Sequence, residues 1–443
     1  MKMQTYHLNT LMALALLLVA GCASKNPYHT ENWTAGNCVN PDSEVCAKSY
    51  YQEYPDYDLA FVEFSERGNT FNSEWVDNVL EKIRAHAQED GVVVVTFIHG
   101  WKHNAKQTDS NLVDFRKSLA AVANSSSSLG KRRLVGLYIG WRGASLDLPV
   151  LKNLTFWDRK AVAEEVGKGG VTSLLLELDR IDRENAGNVM VVIGHSFGGA
   201  IVVSATTEVL AERAENQARN GAQAKTLGDL IIVLNPAIEA NQSLSLIETA
   251  LHNNYPNGQT PLFISLSSDA DWATHYTFPA GQTLGLLLTW HQHDLQRERY
   301  YDRLSKEHLV LKEEHLDATA VGNFAPYLTH RLSAEPAGDT HRLSLTTCEQ
   351  VPDRCVPEGW TTLSGHPTFG PLPENYPLHF IKTDKSVMKG HNDIFNPVVR
   401  AFILGIIDDV VARSLEEPGR ATPSILFQPD KLNTRFKEFY STQ

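Results

Sequence analysis

The run VVVVTFI, residues 92–98, holds seven apolar or β-branched residues with no sustained polar alternation. A strand with one wet face alternates with period two, so a run like this is expected where both faces of a sheet are covered. Similar runs recur at residues 134–141 (LVGLYIGW), 189–193, 230–234, 262–266 and 378–384 (LHFIKTD). Between them lie stretches with helical spacing. Residues 109–124 put Leu112, Phe115, Leu119 and Val122 on one side, residues 161–183 suit one long helix, and residues 199–218 and 394–411 suit two more. Alternating strands and helices predict an α/β fold, a mostly parallel sheet flanked by helices.

This pattern holds over residues 59–413 and is interrupted at about 283–376. There an apolar patch (Leu284, Leu286, Leu287, Leu288, Trp290), a charged helical stretch and a loop region bearing Pro, Gly and Cys break the rhythm. A late insertion is the simplest account. Such insertions can build a cap over a site, and an apolar stripe equally suits a core helix. Residues 22–58 read as a tether with a stapled segment, and residues 414–443 as a C-terminal tail. The net charge of −12 and the lack of a long basic run argue against a nucleic-acid partner.

Within this frame the stretch VVIGHSFGGA, residues 191–200, places Ser196 between a buried strand and an amphipathic helix. A serine hydroxyl is a poor nucleophile until a base takes its proton, and a sharp strand-to-helix turn thrusts it toward that base. Gly194 and Gly198 flank Ser196 at two residues on either side, and Gly199 follows, so the cramped backbone meets little bulk. A second element, FIHGWKHN at residues 97–104, ends the first buried strand.

With these two motifs the chain resembles the α/β-hydrolase superfamily, in its esterase- and lipase-like serine hydrolases. The resemblance implies an oxyanion hole formed by the backbone N–H groups of Trp101 and Phe197. The superfamily order of nucleophile, acid and histidine then points to Ser196, to an acid after the strand at 262–266, and to His391 in the loop after the last strand. Asp269 and Asp271 both stand at the acid position. Ser267, Ser268 and Asp269 suit the turn itself, which favours Asp271 as the catalytic acid with Asp269 as the alternative. Trp272 is expected to screen that carboxylate from water. No cofactor and no metal are expected; the HQHD stretch, residues 291–294, lacks a third ligand. Arg142 and Arg159, near the end of the second strand, could grip an acidic substrate group, although loop salt bridges are the plainer expectation.

The chain opens with an apolar core, LMALALLLVA at residues 11–20, of signal-peptide length and too short to span a bilayer. LVAGC, residues 18–22, resembles the lipobox of bacterial lipoproteins, which implies a signal peptide over residues 1–21 and a lipid (palmitate-type) anchor on Cys22. Neither Ala23 nor Ser24 is the aspartate that retains enteric-type lipoproteins in the inner membrane, so the resemblance implies a cell-envelope protein at the outer membrane. Setting Cys22 aside leaves four cysteines in two local pairs, Cys38 with Cys46 and Cys348 with Cys355, which suggest two short disulfides in an exported chain, with three connectivities formally open.

The expected activity is hydrolysis of a carboxylic (acyl or aryl) ester, small-molecule or lipid, through an acyl-enzyme. Two alternatives stand beside it: an acyltransferase using the same triad, and a non-catalytic surface-binding lipoprotein on a hydrolase-like fold.

Overall fold

The computed structural model describes residues 26–41, 43–142, 152–219, 223–279, 282, 295–301, 308–311, 313–348, 372–416 and 423–442. Its strands are β1 (Tyr51–Glu53), β2 (Asp58–Glu63), β3 (Val92–Ile98), β4 (Arg133–Gly140), β5 (Val189–His195), β6 (Leu230–Leu234), β7 (Phe263–Ser268), β8 (Leu295–Tyr301), β9 (His308–Leu311), β10 (His330–Ala337), β11 (Thr340–Thr347) and β12 (Leu378–Thr383). The helices used below are α1 (Glu44–Lys48), α2 (Ser73–Glu89), α3 (Ser110–Ser125), α4 (Lys152–Val166), α5 (Thr172–Asp182), α6 (Phe197–Arg219), α7 (Leu244–His252), α8 (Glu313–Ala318), α9 (Pro397–Arg413) and α10 (Pro429–Tyr440).

Ten strands form one sheet in the order β1-β2-β4-β3-β5-β6-β7-β12-β10-β11. From β2 to β10 every neighbouring pair is parallel; β1 and β11 close the two ends antiparallel. The fold is therefore α/β with a mostly parallel sheet flanked by helices.

Strand β3 shows how the sequence builds two cores at once. Val92, Val94 and Ile98 face one layer, where Val79 and Ile83 of α2, Leu174 and Leu178 of α5, and Ile201 of α6 pack. Val93, Val95 and Phe97 point the other way, to Leu112, Phe115 and Leu119 of α3 and to Phe402 and Ile406 of α9. Period-two alternation distributes an unbroken apolar run over both faces.

Three features differ from the sequence expectation. The helix expected at 161–183 is two: α4 ends at Val166, a short π turn follows at Gly167–Val171, and α5 resumes. The glycines there allow close packing, since a Cβ on Gly170 would lie 2.3 Å from the Gly68 carbonyl oxygen. The late part of the supposed insertion is integral to the sheet, because β10 pairs with β12 and β11 covers its outer edge. The supposed tail at 414–443 carries α10, whose Leu432, Phe436 and Phe439 are buried against the second core layer. Burying a side chain of that size is worth roughly 1.5–3 kcal/mol. The apolar patch at 284–290 lies outside the described residues, as does HQHD.

Cys38 and Cys46 form a disulfide with Sγ atoms 2.00 Å apart. Cys348 is disulfide-bonded, while Cys355 and Cys22 lie outside the described residues. Among the described residues, no helix is long and apolar enough to cross a membrane.

Candidate active site

In a parallel sheet all C-terminal strand ends share one edge, and a crevice opens there where the chain reverses its direction of winding. Here the chain builds outward from β3 to β4, then returns to lay β5 on the other side of β3. The HGW loop follows β3 and Ser196 follows β5, so both stand at this switch point. The Asp269–Asp271 turn follows β7 and the His391 loop follows β12, on the same edge.

Ser196 has φ of 55°, in the left-handed region that L-residues rarely occupy. The bend is braced by backbone bonds: the Ser196 N–H donates to the Leu234 carbonyl (3.0 Å), and the Ser196 carbonyl accepts from Ala200 (3.1 Å) and Ala237 (3.1 Å). The neighbouring glycines allow contact that a side chain would forbid. A Cβ on Gly198 would stand 2.1 Å from the Ile98 carbonyl oxygen, and one on Gly100 would stand 3.0 Å from the Ser196 Cβ. Thus β3, its HGW loop and the start of α6 are in van der Waals contact around Ser196.

The structure brings three of the expected residues into one hydrogen-bonded line. Ser196 Oγ lies 2.8 Å from His391 Nε2, and His391 Nδ1 lies 2.8 Å from Asp271 Oδ2. With Nδ1–H donating to the carboxylate, Nε2 is left as the acceptor for the serine proton.

The two aspartates separate cleanly. The Asp271 side chain is fully buried, and its Oδ1 accepts the N–H groups of Ala273 (2.9 Å) and Thr274 (3.2 Å). Oδ2 accepts the Thr274 hydroxyl at 2.6 Å as well as His391. Burial pushes this carboxyl up, but His391 and Thr274 outweigh it and hold Asp271 below the usual carboxylate range. Asp269 instead meets Arg331 Nη2 at 2.6 Å and Lys382 Nζ at 3.6 Å. Ser268 shapes the turn between them, its hydroxyl accepting the Ala270 N–H at 3.0 Å.

Trp272 departs from expectation. Its side chain is exposed (67%), so the shield over Asp271 comes from Thr274 and its surroundings. Behind Thr274, Asn323 donates to its hydroxyl at 3.1 Å and accepts from the buried Lys382 ammonium. Burial pulls Lys382 down to about 8, opposed by Asp269 and Asp271.

Phe197 is the first residue of α6, where backbone N–H groups point out of the helix start. Phe197 directly follows Ser196, and the Trp101 ring lies 6.3 Å from the Phe197 ring, in the loop whose Gly100 approaches the Ser196 Cβ. His99 steadies that loop: the Trp141 N–H donates to its Nε2 at 3.2 Å, and its Nδ1 donates to the Gly100 carbonyl at 2.9 Å. Burial lowers His99 to about 4, keeping it neutral. Arg159 pairs with Glu66 at 2.6 Å, and Arg142 lies over the Phe71 ring at 5.5 Å. Both arginines thus serve the loop structure.

Two residues that sequence reasoning passed over hold the His391 loop. The His391 carbonyl accepts from Asn235 Nδ2 (2.9 Å) and from His195 Nε2 (3.0 Å). Asn235 Oδ1 also accepts the Ser268 N–H at 3.0 Å, so one fully buried amide ties the histidine loop to the aspartate turn. Burial, then the neighbouring His391, lowers His195 to about 3 and keeps its ring neutral. The available signal was a polar residue at the C-terminal end of an apolar strand, which is costly to bury without a positional role.

No protein-family model matches the chain, and no curated protein matches it. Among solved structures the chain is similar to phospholipase PlaB from Legionella pneumophila in complex with thio-NAD, at 15% identity and a TM-score of 0.26. The match covers 79% of this chain and 62% of that one, so this chain spans less than two thirds of that protein's length.

Proposed function

We propose that this chain is a lipid-anchored serine hydrolase of the bacterial cell envelope that cleaves carboxylic esters. The observation that carries the reading is the Ser196–His391–Asp271 line, 2.8 Å at each link, at the switch point of the sheet. Ser196 Oγ attacks the ester carbonyl while His391 Nε2 takes its proton. The carbonyl oxygen gains negative charge, which the N–H groups of Trp101 and Phe197 stabilise. Collapse breaks the ester bond: His391 returns the proton to the departing alkoxide, and the acyl group stays on Ser196. Water then enters, loses a proton to His391 and attacks the acyl carbon, so Ser196 departs with its proton restored and the carboxylic acid leaves. Asp271 sets the tautomer of His391 and stabilises its imidazolium. The balance closes with water as the sole co-reactant and no cofactor.

The experiment is turnover of a small soluble aryl ester by the purified full-length protein, with product analysis. Wild type should release both alcohol and free acid, and Ser196→Ala should retain its fold with no turnover above background. Equal turnover in the two would remove the reading, and transfer of the acyl group to added alcohols in preference to water would make the enzyme an acyltransferase. Replacing Cys22 with serine should release the protein from membranes or block its processing without changing this turnover.

A further inference from the structure

The N-terminal segment enters the fold on the edge that carries Ser196. Glu63 ends β2, and its carboxylate accepts the backbone N–H groups of Tyr28 (2.8 Å) and His29 (2.9 Å), while the His29 ring stacks on Phe61 at 3.4 Å. Register places Glu63 opposite Gly140, one step beyond the level of Ile98 and Gly194. β2 lies three strands from β5, roughly 14 Å away at ordinary interstrand spacing.

On the other side of Ser196, β7 lies two strands from β5, roughly 10 Å away. There Trp272 and Tyr276 are 67% and 60% exposed, with ring centroids 6.2 Å apart. Tyr28 is 38% exposed. The described chain has one further exposed aromatic of this kind, Phe427, which lies against His379 toward the opposite edge. Exposed Lys102, Lys106, Lys385 and Lys389 occupy the loops after β3 and β12, again on the Ser196 edge. Aromatic rings with one apolar and one wet side, together with ammonium groups, are what a phospholipid surface accommodates at headgroup level.

The reach of the anchor limits how the molecule can sit. Cys22 precedes Tyr28 by six residues, and an extended chain covers about 3.5 Å per residue, roughly 21 Å in all. A globular chain of this length is roughly 55–60 Å across. A lipid on Cys22 therefore cannot leave the opposite edge against the bilayer.

We propose that the Ser196 edge is a membrane-docking face, seated on a phospholipid bilayer by Tyr28, Trp272, Tyr276 and the rim lysines, so that the ester substrates are lipids of the anchoring membrane. This rests on the serine-hydrolase reading and on lipidation of Cys22. By strand order the aromatic groups stand on either side of Ser196, and a lipid ester rising from the bilayer enters between them.

The test reconstitutes the full-length protein in vesicles of phosphatidylcholine and phosphatidylglycerol, with and without phospholipid brominated near the headgroup. In brominated vesicles the tryptophan emission of wild type should be quenched, and the Trp272→Phe variant should lose a clear share of that quenching. The Trp272→Ala/Tyr276→Ala double variant should hydrolyse vesicle phospholipid at least about tenfold more slowly while a small soluble aryl ester changes by less than about twofold. Leu415→Ala, which removes an exposed apolar side chain just beyond α9, should alter neither rate. Equal quenching in wild type and Trp272→Phe would overturn the docking face, as would equal loss on both substrates. If wild type hydrolysed neither substrate, the hydrolase reading would fall, and the quenching comparison would still decide which edge meets the bilayer.

Discussion

Acidic side chains at the two edges of the sheet show opposite electrostatics. At the C-terminal edge Asp271 is fully buried yet held below the usual carboxylate range, because four donors converge on its two oxygens. At the N-terminal edge Asp182 and Asp229 line a cavity of about 480 Å³ with Lys225 and Arg183. Desolvation there, followed by repulsion from Asp229 and Asp179, pushes Asp182 up to about 9. Desolvation likewise raises Asp229. Arg183 is committed elsewhere, to Asp179 at 2.9 and 3.0 Å. Desolvation with neighbouring carboxylates favours the protonated form of Asp182, whereas donors converging on Asp271 favour its charged form, as the acid of a triad requires.

The largest expected effect strikes the donor-rich edge. Asp271→Asn should lower kcat on a soluble ester by roughly 10³ to 10⁴-fold, because the amide no longer fixes the His391 tautomer. Asp269→Asn should cost less than about tenfold, through a weakened contact with Arg331 and Lys382. Stopped-time assays on both folded variants check the ranking; the reverse order would move the acid to Asp269. Next in size is Asn235→Ala, expected to lower kcat by about 10- to 100-fold with little change in KM, since the His391 loop loses a donor and the substrate loses no contact. A KM effect as large as the kcat effect would make Asn235 a binding residue.

The smallest effect tests the opposite edge by stability. A carboxyl raised in the folded state binds its proton more tightly there than when unfolded, so its contribution to stability falls as pH rises from its ordinary value toward about 9. Asp182→Asn should therefore stabilise the protein by on the order of 1 kcal/mol near pH 8 and by much less near pH 4. Asp271 has the opposite sign: its stabilisation is present above the ordinary carboxyl range and lost as pH falls through its lowered value, so Asp271→Asn should destabilise at neutral pH. Denaturant midpoints at two pH values measure both, and shifts of the same sign would erase the contrast between the edges.

How much of this was legible follows from the kind of signal each part carries. The buried parallel strands announce themselves because an element covered on both faces tolerates few polar residues, as in Val92–Ile98. Ser196 and His391 were legible by context, one between a buried strand and a helix, the other in the loop before the last long helix. Strands β10 and β11 were not, since only part of their length is buried and their sequence is mostly polar. Helix α10 was missed although Leu432, Phe436 and Phe439 recur at helical spacing, because nothing local shows that α9 leaves a surface to receive them. The roles of Asn235 and His195 arise from their bonds to the His391 carbonyl, more than 150 positions away, which no local pattern encodes.

The central claim is that Ser196 is a nucleophile activated by His391 and held ready by Asp271. Its most direct test is exposure of the intact protein to a fluorophosphonate, followed by mapping of the adduct by peptide mass spectrometry. The account predicts one stoichiometric adduct on Ser196, none in Ser196→Ala, and much slower labelling in His391→Ala. Labelling of another residue, or equal labelling of wild type and Ser196→Ala, would contradict it.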